Sequence, residues 1–111
     1  MVALRFDRLV GAEDLLRSRW QNTIILCLAA ENPLRYVELG RALADYTGAH
    51  PSEGVLTRTL VRLAEDGLVR SDVVEDHKVY TLTSDGEARA RVLAAIDRAM
   101  PDTDTEEEEK E

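Results

Sequence analysis

The chain has 111 residues, room for one domain of ordinary size and too few for two independent cores. Apolar residues make up 44% of it but aromatic ones only 5%, so Leu, Val, Ile and Ala must fill the interior, and so thin a core favours burying a spare helix face against a second copy. The formal charge of -8 speaks against a polyanionic partner only until it is located: from Asp102 onward seven acids stand against Lys110, which leaves -2 for residues 1–101.

Other classes fall away on residue content. The single cysteine, Cys27, excludes an internal disulfide framework, and no Cys and His spacing matches a zinc site, so neither metal nor cofactor is expected. No apolar run approaches the roughly 18 to 20 residues of a membrane span. Arg5, Asp7 and Arg8 interrupt the opening ten residues where an export signal needs an unbroken apolar stretch. A cytoplasmic protein without a membrane partner is expected.

Val2 to Val10 offers Leu4, Phe6 and Leu9 as an apolar arm, helical or extended. Over residues 12–30, Leu16, Trp20, Ile24, Cys27 and Leu28 recur on one stripe and predict a first helix, which Pro33 ends near Glu31 and Asn32. Leu34, Val37, Leu39 and Leu43 predict a second helix over 34–46, fraying before Thr47-Gly48. After a turn, Pro51-Ser52 supplies an N-cap for a third helix with Val55, Leu56, Leu60 and Leu63 inward, closed by Gly67. Leu68 to Val74 and Lys78 to Leu82 read as two strands joined around Glu75-Asp76-His77. Thr83 or Ser84 then caps a last helix carrying Ala88, Val92, Leu93, Ile96 and Met100 before Pro101.

The order helix, helix, helix, hairpin, helix predicts a mostly helical α+β fold. Its hairpin directly follows the second helix of a helix-turn-helix and can flank a groove-reading helix as a wing. Four segments strengthen this: Arg19-Trp20 opening an apolar run to Leu28; Pro33-Leu34-Arg35-Tyr36-Val37-Glu38-Leu39; Leu56 through Arg70; and Tyr80-Thr81-Leu82-Thr83-Ser84-Asp85-Gly86. Together, over roughly residues 19–97, they resemble the HxlR-type branch of the winged helix-turn-helix regulators, broadly related to the MarR group. The resemblance implies a bacterial, dimeric protein that binds double-stranded DNA, regulates transcription and is not an enzyme. Residues 1–101 would form the DNA-binding and dimerisation domain. The first helix, the N-terminal segment and the last helix would join two copies as a homodimer, and residues 102–111 would be a disordered acidic tail.

At about 100° per residue, the leucines of the third helix turn Gly54, Arg58, Val61 and Glu65 outward, with Thr57 and Arg62 flanking them. Ser52, Gly54, Thr57 and Arg58 lie in the half that meets base edges in helix-turn-helix proteins, and the planar fork of Arg58 matches guanine O6 and N7. Arg35, His77 and Lys78 are candidate phosphate contacts, with Arg62 beside the reading face. The plainer alternative is that Arg58 and Arg62 only solvate the helix, Arg62 pairing with Asp66 at i, i+4. Glu53 and Glu65 would repel phosphate, and Asp72, Glu75 and Asp76 leave the wing tip without a strong positive charge. Cys27 lies on the core stripe, where a thiol acts as a small hydrophobe rather than a sensor. The chain has no phosphate-cradling glycine loop and no recognisable nucleophile and base set, so the rival reading is a winged-helix module that binds protein.

Overall fold

The computed structural model describes residues 19–101. Within them run α1 (Arg19–Ala30), β1 (Leu34–Arg35), α2 (Tyr36–Thr47), α3 (Glu53–Glu65), β2 (Val69–Val74), β3 (His77–Leu82) and α4 (Ser84–Ala99). This is a winged-helix fold, four helices around a small antiparallel sheet of order β1-β3-β2. The expected arm from Val2 to Val10, Leu16 and the acidic tail lie outside the described residues.

α1 is the central element. Ile24, Ile25, Cys27 and Leu28 are fully buried, while Trp20 packs half-buried at the edge with the Arg19 guanidinium 4.7 Å from its ring centre. Against α1 stand Leu39 and Leu43 of α2, Leu56 and Leu60 of α3, Leu82 of β3 and Leu93 of α4. The helix stops at Ala30, as Pro33 demands.

The second helix begins two residues later than its apolar pattern predicts. Leu34 and Arg35 are extended and pair with Tyr80 and Val79, which adds a third strand beside the expected hairpin. Glu38 explains the later start: its Oε1 accepts the Arg35 backbone N–H at 2.8 Å, so Arg35 is the cap and α2 begins after it. Leu39 and Leu43 are buried as their spacing predicts. Leu39, Gly40, Ala42 and Leu43 face inward and Val37, expected inside, is 60% exposed. Gly48, at φ 75, closes the helix one residue beyond Thr47.

α3 follows its sequence signals closely. The Ser52 hydroxyl accepts the Val55 N–H at 3.2 Å, and Leu56, Leu60 and Leu63 are buried, with Val55 only half-buried. Its end is a Schellman motif: Gly67 at φ 75 donates to Ala64 O at 3.1 Å and Leu68 to Leu63 O at 2.9 Å. Leu68 therefore belongs to the cap rather than to the strand. The hairpin turn is also shorter than expected. Only Glu75 and Asp76 form it, at φ 51 and 66, and His77 pairs with Val74 inside the ladder.

Thr83 joins the end of α3 to the start of α4. Its hydroxyl donates to Gly67 O at 2.6 Å and accepts the Gly86 N–H at 3.0 Å, while its own N–H donates to Leu68 O at 3.1 Å. The crossing is tight. A Cβ at Gly86 would overlap the Leu68 carbonyl oxygen and come within 3.0 Å of a Leu82 methyl. Along α4 the inward residues are Gly86, Ala90 and Leu93, whereas Val92 and Met100, read from the sequence on the same apolar face, are exposed.

Candidate nucleic-acid interface

With its three leucines turned inward, α3 presents Gly54, Thr57, Arg58, Val61, Arg62 and Glu65 on the protein surface. The Tyr36 hydroxyl lies 3.2 Å from both the Glu53 carbonyl oxygen and Thr57 Oγ1. Since a tyrosine hydroxyl can donate to only one of them, donation to the carbonyl leaves its oxygen to accept from Thr57. The first turns of α3 are thus tethered to the start of α2. No spacing rule pointed to Tyr36, because the contact spans seventeen residues.

The turn before α3 is also packed. His50 Nδ1 contacts Pro51 O at 2.8 Å, which requires a proton on that nitrogen. The ring covers Gly40, where a Cβ would lie 2.9 Å from Nε2. Gly40 therefore sets how closely this turn approaches α2.

The two helix arginines differ. Arg58 folds back over Gly54, its Nη1 3.3 Å from where a glycine Cβ would stand, and no acid among the described residues pairs with it. The space above Gly54 thus holds the Arg58 fork and is not an open approach to the backbone. Arg62 bonds Asp66 at 3.3 Å, as the plainer alternative anticipates. Both partners of that pair are well exposed, so the link contributes about 0–1 kcal/mol and yields readily to a phosphate.

Arg35, His77 and Lys78 come together as the sequence alone did not show. They line one cleft of about 410 Å³ between the start of α2 and the wing, together with Tyr36, Val37, Glu38 and Arg41. Arg41 was missed from sequence, although its place opposite the Leu39 and Leu43 stripe marks it as an exposed cation. On the outer wing strand Arg70 pairs with Asp72 at 3.2 Å.

Cys27 is fully enclosed. Burial, then the charge of Glu31, pushes its thiol up to about 11 from 9.0, which lowers the thiolate fraction at neutral pH about a hundredfold. Folded protein at pH 8 is expected to react with a thiol-specific disulfide reagent at least about a hundred times more slowly than urea-unfolded protein. Comparable rates would show the site open. Among the described residues no three His, Cys, Asp or Glu side chains gather as a metal site, and no helix is long and apolar enough to cross a membrane.

Residues 25–92 match the family model described as the transcriptional regulator PadR-like family. No curated protein sequence gives a significant match. Among solved structures, the reduced form of the transcriptional regulator YodB from B. subtilis is 24% identical, covers 88% of this chain and 90% of its own, and superposes with a TM-score of 0.63. The zinc-responsive MarR family member ZitR of Lactococcus lactis, also 24% identical, covers 82% of this chain and 60% of its own at a TM-score of 0.65. RosR of H. salinarum, at 24% identity, covers 81% and 84% with a TM-score of 0.62. These likenesses concern the winged-helix fold.

Proposed function

The chain belongs to the PadR-like family of transcriptional regulators, and from that premise we propose that it is a cytoplasmic homodimer that reads a specific duplex DNA sequence and represses transcription there. Members of this family regulate transcription through a DNA-binding winged helix and are not enzymes. The observation that carries the reading is the outer face of α3, where buried leucines hold an arginine-bearing surface that no other described residue covers. Ser52, Thr57 and Arg58 meet base edges, Gly54 leaves room for the Arg58 fork, and Arg35, Arg62, His77 and Lys78 hold phosphates. Repression follows from occupying the operator.

Pairing of two copies through α1, the N-terminal segment and α4 is supported by apolar side chains that the protomer leaves outside. Leu26 is 43%, Val92 51% and Met100 64% exposed. A two-fold pair would set its reading helices roughly 34 to 36 Å apart and favour a palindromic operator. On this reading residues 1–101 act as the one domain, and the acidic segment 102–111 acts through its charge. The finer placement in the HxlR-type branch rests on Arg19-Trp20 and on residues 33–39.

Selection of bound fragments from random duplex DNA tests the proposal. An enriched two-fold motif is expected, bound by a species that sediments as a dimer at micromolar concentration. Affinity should fall steeply with salt and fall again when Arg58 and Arg62 are both replaced by Ala. No enrichment, with salt-independent binding to protein targets instead, would establish the protein-binding module.

A further inference from the structure

We infer that the cleft between the start of α2 and the wing, rather than the wing tip, grips the DNA backbone, with Arg41 as a positioning residue beside Arg35 and Lys78; the inference rests on the DNA-binding reading above. Three elements bring hydrogen-bond donors to this one cavity. Arg35 comes from β1, Arg41 from the second turn of α2, and His77 and Lys78 from β3. Arg35 is fixed in place twice, by its pairing with Val79 and by its N–H bond to Glu38. Glu38 is the one carboxylate lining the cleft, and one of its oxygens is engaged in that bond. Among the described residues no acid forms an ion pair with Arg35, Arg41 or Lys78. Three permanent cations thus face one lining carboxylate, so the cleft carries an excess of positive charge whose donors suit phosphate oxygens.

The far end of the wing has the opposite character. The turn consists of Glu75 and Asp76, both exposed and held in the left-handed region at the extremity of the hairpin. Proteins that enter the minor groove do so with Arg, Lys, Asn or Gln, and two carboxylates pushed toward the phosphates would be repelled. The two-residue turn makes no phosphate contact, while the cleft beside the first residues of β3 holds one.

The test uses the full chain with its selected duplex and with an unrelated duplex, each titrated over a range of KCl. Arg41→Gln removes an exposed charge and should leave the melting temperature unchanged. It is expected to weaken binding to both duplexes equally, by roughly fivefold to tenfold near 0.1 M salt, and to reduce the slope of log K against log salt by about one. Glu75→Asn with Asp76→Gly neutralises the tip with residues that accept its backbone, and should change affinity less than threefold. An unchanged slope for Arg41→Gln, or a gain of more than threefold from the neutral tip, would overturn the inference while the DNA-binding reading stands. Wild-type protein that binds neither duplex would overturn both.

Discussion

Replacing Gly86 by Ala is expected to lower the thermal midpoint by roughly 4 to 24 °C, although the same change in a free helix would be stabilising by about 1 kcal/mol. The reason is the crossing of α4 over the end of α3. A Cβ at Gly86 meets the Leu68 carbonyl oxygen, which is backbone, and then the Leu82 methyl at 3.0 Å. The side chain can yield by rotating, but the carbonyl is held by the Schellman cap on one side and by the Thr83 N–H on the other. Relief therefore requires α4 to move away, loosening Ala90 and Leu93 from the core. Overpacking of this kind costs about 1 to 3 kcal/mol, and for a domain of this size each kcal/mol shifts the midpoint by about 4 to 8 °C. Glu87→Ala, one residue along on the exposed side, serves as the comparison and should fall within about 0.5 kcal/mol of wild type. A midpoint that rises for Gly86→Ala would show that helix propensity governs this position and that the close crossing is not maintained.

The second large effect is expected at Arg58. Its guanidinium is exposed and unpaired among the described residues, so nothing has to be broken before it enters a groove. A bidentate contact to guanine is worth about 1 to 3 kcal/mol of discrimination. Arg58→Ala should then cost roughly tenfold to a hundredfold in preference for the selected sequence, with a smaller loss on unrelated DNA. Substituting 7-deazaguanine for guanine at the recognised position removes one acceptor, and should weaken wild type while leaving the Ala variant unaffected. Arg62→Ala should act differently, weakening both duplexes alike, because a residue that exchanges a surface carboxylate for a phosphate carries no base information. Equal losses on both duplexes for Arg58→Ala would assign Arg58 to the backbone as well.

The elements that proved easiest to read are those governed by neighbours in the chain. Ser52 and Thr83 cap as their hydroxyls predict, Gly67 takes the left-handed turn free of any Cβ clash, and the leucines of α3 face inward at helical spacing. The misplaced start of α2 has a different origin. Leu34 satisfies helical periodicity and strand burial equally well, and the choice lay with Tyr80 and Val79, more than forty residues away. Val37 was misread as well: Leu39 and Leu43 are buried as expected, but the small residues Gly40 and Ala42 complete the inward stripe in place of Val37.

Function divides along the same line. Helix order, hairpin and the outward arginines of α3 follow from local periodicity and hydrogen-bonding rules, so the chain alone identifies a winged helix with an arginine-bearing outer face on α3. Folding in three dimensions was needed to gather Arg35, Arg41, His77 and Lys78 around one cleft, to tether Tyr36 to α3, to place Arg58 over Gly54, and to seal Cys27 in the interior. Periodicity records which side of an element a residue occupies. Which other element meets that side depends on packing among segments distant in sequence, and no nearest-neighbour pattern encodes it.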